Sequence, residues 1–153
     1  MTNYAEMIKE HLIDLSVDVR SIEELFTEVS QRLLQEHFVN EGYLSGVLKR
    51  EEEFPTGLMT QYVSIALPHA DPEYIACPFI YIARVKTPLL VKQMGDNQPM
   101  RVRYFLFLGI QEPAKQVGLL QVLLNLFMNE QFVEQFCKEK EAARLYQLMK
   151  AAI

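Results

Sequence analysis

Two stretches of this chain hold residues that could do chemistry together: Arg50-Glu-Glu-Glu-Phe-Pro-Thr-Gly-Leu58 and Ser64-Ile-Ala-Leu-Pro-His69-Ala-Asp71. The second begins as a short apolar strand and is closed by Pro68, which has no N–H to offer a ladder. His69 is then expected on a loop at the strand's C-terminal end, the edge where open α/β sheets bind ligands. A neutral imidazole there is a nucleophile at physiological pH, and the guanidinium of Arg50 could neutralise an incoming phosphoryl group. Pro55-Thr-Gly57 has the composition of a turn. Taken singly, a histidine after a strand is most often a turn residue, and an arginine late in a helix a solvated one.

The composition narrows the class of chemistry. The chain has 153 residues, 50% hydrophobic and 23% charged, enough for one domain to fold without disulfides or a metal. Lys plus Arg number 15 against 20 Asp plus Glu, a net charge of −5 with no basic tract, so neither nucleic acid nor an anionic membrane is an expected partner. Cys77 and Cys137 lie far apart with no ligand-spaced His or Cys, which argues against a disulfide framework or zinc site and for reduced thiols. Met1 to Arg20 carries charges throughout, with no run suited to a signal peptide, and the densest apolar run, Tyr104 to Ile110, is too short to span a bilayer. A cytoplasmic protein without membrane insertion is expected.

The elements that would hold Arg50 and His69 follow from periodicity. Ser21-Ile-Glu-Glu24 forms a capping box, and Ile22, Leu25, Phe26, Val29, Leu33 and Phe38 continue at helical spacing, predicting a helix from about Ser21 to Val39. A second helix is expected from about Gly42 to Glu53, stopping before Phe54-Pro55 because a residue preceding proline avoids helical geometry. Four apolar runs, Tyr62 to Leu67, Phe79 to Val85, Leu89 to Val91 and Val102 to Ile110, read as strands covered on both faces. Helical patterns return from Ala114, then near Glu130 to Cys137 and Glu141 to Met149. Helices, strands and again helices describe an α/β sandwich, residues 1–153 forming a single domain.

The pair REEEFPTGL and SIALPHAD resembles the active-site signature of the fructose/mannitol class of enzyme IIA domains of the bacterial sugar phosphotransferase system, and the FPTG form is most similar to galactitol-type IIA proteins. The resemblance extends over essentially the whole chain and includes the late helix QVGLLQVLLNLFMNEQF. It implies a mixed, roughly five-stranded sheet flanked by helices on both faces. It also implies a phosphohistidine carrier with no cofactor or metal, His69 taking a phosphoryl group from HPr and passing it to a cysteine of a IIB partner, the membrane IIC being reached only through IIB. Arg50 matches the family's active-site arginine, and Thr56 and Gly57 fall where its loop borders the phosphoryl group. Mannitol- and fructose-type domains carry a second histidine at the start of the late helix, where this chain has Gln116, as galactitol-type proteins do. Gln116 can donate a hydrogen bond but supplies neither proton nor positive charge.

The remaining candidates read as structural. His11 and His37, both cysteines and the scattered methionines are expected in ordinary roles, and Glu51 to Glu53 as a solvated helix end. Phe54, Leu58 and Tyr74 are candidates for partner docking. The alternative function is a regulatory module of the same fold, whose His69 phosphorylation state is read by a transcription or transport regulator. A site of either kind is expected to have His69 accessible, Arg50 close enough to share its anion, and Gln116 facing the same cleft.

Overall fold

The computed structural model describes residues 3–153. In chain order the strands are β1 (Ile8–Val17), β2 (Gly57–Met59), β3 (Ser64–Ala66), β4 (Phe79–Lys92) and β5 (Pro99–Gly109). The helices are α1 (Ile22–Gln35), α2 (Tyr43–Glu53), α3 (Pro113–Phe127), α4 (Glu130–Lys138) and α5 (Ala142–Ala152). The strands form one mixed sheet in the order β1-β4-β5-β3-β2, with β1/β4 and β3/β5 parallel and β4/β5 and β3/β2 antiparallel.

Alternation along the central strands sorts side chains into two cores. Phe79, Tyr81, Ala83 and Val85 of β4 pack with Phe105 and Phe107 of β5 against Leu25, Phe26, Leu33 and Val47 of α1 and α2. The intervening Ile80, Ile82, Leu106 and Leu108 face Leu119, Leu123 and Phe127 of α3, Phe136 of α4 and Leu145 of α5. Both faces of the sheet are thus covered, which is why these strands read as unbroken apolar runs.

The sequence expectations and the structure differ in four elements. α1 ends at Gln35, before the expected Val39, because His37 turns left-handed at φ 64° and the Phe38 amide closes back on the Leu33 carbonyl at 2.9 Å. Phe79–Val85 and Leu89–Val91 belong to one strand, its pairing with β5 interrupted between Arg84 and Leu89, the interval that contains Pro88. Two strands were not foreseen: β1, within the charged opening segment, and β2, which is only three residues long. Among the described residues, no helix is long and apolar enough to cross a membrane.

Candidate active site

β3 stops where Pro68 withdraws its amide from the ladder. The Pro68 carbonyl still accepts from the Leu108 amide at 2.9 Å, and His69 forms an isolated parallel bridge with Leu108. His69 therefore sits at the C-terminal end of β3, beside the parallel β5, as its sequence context predicts. It is less accessible than expected, at 8% exposure. Its Nδ1 lies 2.9 Å from the Leu67 carbonyl oxygen. A carbonyl can only accept, so Nδ1 carries the hydrogen and the lone pair is on Nε2. Among the described residues Nε2 has no hydrogen-bond partner, so its lone pair is uncommitted.

Burial pulls the His69 pKa below 6.5 and the charge of Arg50 lowers it further, while the Leu67 carbonyl and Asp71 oppose the shift. The ring is accordingly neutral and nucleophilic at pH 7.

Arg50 comes from the last turn of α2, which ends because Phe54 precedes Pro55; the Phe54 amide closes the helix on the Arg50 carbonyl at 2.7 Å. The guanidinium lies 5.2 Å from the centre of the Phe54 ring, and its Nη1 donates to Asp71 Oδ1 at 3.0 Å. Its Nε is buried without a partner. Asp71, two positions beyond His69, is a site residue that sequence reasoning missed, although it closes the SIALPHAD motif. An acid two residues after a nucleophile carries no signal until the fold turns it toward the arginine.

The loop before β2 departs from expectation. Glu51 is not a solvated helix-end acid like its exposed neighbours Glu52 and Glu53; it is 6% exposed and accepts from the Thr56 amide at 2.8 Å and the Thr56 hydroxyl at 2.7 Å. Burial raises the Glu51 pKa, and the two bonds from Thr56 oppose the rise. Thr56 itself is 2% exposed, and its hydroxyl also accepts from the Leu67 amide at 3.1 Å, so that hydroxyl is occupied and not turned toward an incoming phosphoryl group. Gly57 is likewise taken up by packing. Its carbonyl accepts from Met94, and a Cβ at this position would stand 2.5 Å from the Lys92 carbonyl oxygen. In the resting protein the Thr56 hydroxyl and the Gly57 carbonyl thus serve structural contacts.

Gln116 lies half-buried near the start of α3, which follows the C-terminal end of β5 and so begins at the same sheet edge as His69. No side-chain hydrogen bond joins it to His69, Arg50 or Asp71 among the described residues. Of the docking candidates, Phe54 is 60% exposed, whereas Leu58 and Tyr74 pack against the two cores. His11 and His37 are exposed, and both cysteines are free.

The geometry can be compared with known proteins. The galactitol-specific EIIA component of the phosphotransferase system of Escherichia coli K12 is 27% identical over 111 residues, covering 72% of this chain and 74% of that protein. The crystal structure of mannitol IIA from Escherichia coli matches with a TM-score of 0.75 at 18% identity over 92% of this chain and 97% of the other, and so has the same fold. Mannitol IIA in its complex with phosphorylated IIB from Escherichia coli matches with a TM-score of 0.72 at 19% identity, covering 91% of this chain and 94% of that one. The family model described as phosphoenolpyruvate-dependent sugar phosphotransferase system, EIIA 2, spans residues 6–152, and this chain belongs to that family.

Proposed function

We propose that the chain is a cytoplasmic phosphohistidine carrier for sugar uptake, accepting a phosphoryl group on His69 Nε2 from phosphorylated HPr and passing it to a cysteine of a IIB partner. The observation that carries this reading is the His69 ring, neutral and tied through Nδ1–H to the Leu67 carbonyl, with Nε2 left as the available nucleophile. The Nε2 lone pair attacks phosphorus, the bond from phosphorus to the HPr donor atom breaks, and the donor keeps that electron pair. In the second transfer the IIB thiolate attacks, a sulfur–phosphorus bond forms, and the Nε2–phosphorus bond breaks. Transfer through a loose transition state asks mainly for positioning and charge.

Arg50 supplies the charge. In the resting protein Nη1 of its fork is held by Asp71, and Nη2, which makes no hydrogen bond among the described residues, is the candidate donor for a phosphoryl oxygen. Gln116, at the same edge, is the candidate for a neutral hydrogen bond to another oxygen. His69 is only 8% exposed, and the exposed Phe54 ring, packed against the Arg50 guanidinium, is the candidate apolar contact for an arriving partner. The galactitol-specific relative favours galactitol as the sugar and transport over the regulatory alternative.

The test is incubation with phosphoenolpyruvate, enzyme I and HPr. A mass gain of one phosphate is expected, lost in a folded His69→Ala variant and chased onto a galactitol IIB in preference to a mannitol IIB. Retention of the phosphate by His69→Ala would move the acceptor elsewhere.

A further inference from the structure

Glu51 has no part in the transfer described above, yet it is the buried acid closest in sequence to Arg50. Both carboxylate oxygens are spent on Thr56, one on its amide and one on its hydroxyl. The hydroxyl oxygen accepts from the Leu67 amide, and the Leu67 carbonyl accepts from His69 Nδ1–H. An unbroken line therefore runs from Glu51 through Thr56 and Leu67 to the nucleophile.

The sheet explains why the line exists. β2 and β3 pair only as far as Gly57 and Ala66, so the next amide, that of Leu67, is left without a strand partner on that side. The Thr56 side chain stands in for the missing strand. A hydroxyl can rotate, and something must direct it. A carboxylate only accepts, so it draws both the amide and the hydroxyl hydrogen of Thr56 toward itself and leaves the oxygen lone pairs facing Leu67.

We propose that Glu51 is a positioning residue for His69, fixing Thr56 against Leu67 so that the Leu67 carbonyl holds the ring in the Nδ1–H form with Nε2 unprotonated. The proposal rests on the reading of His69 as the phosphoryl acceptor. The opposite tautomer would set the Nδ1 lone pair against the Leu67 oxygen, so any change that turns that carbonyl away relaxes the choice. Glu51→Gln introduces an amide donor against Thr56 and strands the Thr56 hydroxyl hydrogen. Thr56→Val keeps the shape and removes the hydroxyl.

The experiment is nitrogen-15 NMR of His69 in the unphosphorylated protein, with single-turnover acceptance from phosphorylated HPr, for wild type, Glu51→Gln, Thr56→Val and Thr56→Ser. Wild type is expected to be protonated at Nδ1 alone. Glu51→Gln and Thr56→Val should populate both tautomers and slow acceptance about tenfold at saturating donor, while Thr56→Ser should stay within about twofold of wild type. Thermal unfolding establishes that each variant is folded; if Glu51→Gln is not, Thr56→Val decides. Folded variants with an unshifted tautomer overturn the proposal, whether or not the rate falls. A tautomer shift in a protein whose His69 accepts no phosphate supports the positioning role and overturns the carrier assignment of His69 instead.

Discussion

Asp71 occupies Nη1 of Arg50, one arm of the fork proposed to stabilise the phosphoryl group, so Asp71→Asn should favour the phosphorylated state. The pair is short, 3.0 Å, but its side chains are 36% and 54% exposed, which limits it to about 0.2–1 kcal/mol. Removing the carboxylate also removes a negative charge close enough to His69 to act on its ring, a repulsion on the order of 1 kcal/mol for unit charges a few ångströms apart in water. Both effects act in the same direction. Together they come to about 1–2 kcal/mol, or roughly a fivefold to thirtyfold shift of the phosphoryl equilibrium from HPr toward this chain. The cost to folding should stay below about 1 kcal/mol, a loss in Tm of roughly 2–4 °C at most. Intact-mass measurement of the phosphorylated fraction against a graded ratio of phosphorylated to free HPr reads the shift directly, and added salt should shrink it. An unchanged or smaller phosphorylated fraction in Asp71→Asn would mean that Asp71 supports the phosphorylated state, refuting the competition described here.

Arg50→Lys keeps the charge but loses the fork and should slow acceptance roughly tenfold to hundredfold in single turnover, with little change in Tm. Gln116→Ala should slow transfer only about fivefold, the worth of one neutral hydrogen bond, whereas a loss as complete as that of His69→Ala would assign Gln116 a larger part. Acceptance should be level across neutral pH and decline only below 6.5, since burial lowers the His69 pKa from that value. The linked stability is complete above pH 6.5 and is lost as pH falls toward the folded value, because the unfolded chain takes up the proton first; pH-dependent unfolding of His69→Gln should lack that component. Gly57→Ala should cost about 1–3 kcal/mol in chemical unfolding, since the new methyl meets the Lys92 backbone, which cannot swing aside as Met100 can.

The parts of the fold legible in the sequence are those where pattern and burial coincide. Ser21 caps α1, its Oγ accepting from the Glu24 amide while the Glu24 carboxylate reaches back to the Arg20 amide, and β5 shows its two-sided burial as a continuous apolar run. β1 hid because it is an edge strand whose pairing with β4 is irregular, so Lys9, Glu10, His11 and Asp14 break any alternation. β2 is too short to carry a period. At the site, residue type and motif marked Arg50 and His69, whereas Glu51 looked like its neighbours Glu52 and Glu53. What separates it from them is Thr56 opposite, a contact made only when the turn after Pro55 folds back. The same turn gives Thr56 and Gly57 contacts that no local pattern announces: the hydroxyl bridges Glu51 and Leu67, and the glycine lies against the Lys92 backbone.

The bond between His69 Nδ1–H and the Leu67 carbonyl bears on the departure of the phosphoryl group as much as on its arrival. With phosphate on Nε2, a ring that lost its Nδ1 hydrogen would have to leave as an imidazolate anion, a poor leaving group. The carbonyl cannot take that hydrogen and favours its retention, so cleavage returns a neutral imidazole. On the proposed reading, one main-chain oxygen thereby serves His69 both as nucleophile and as leaving group. Because the oxygen belongs to the backbone, no substitution at Leu67 can delete it.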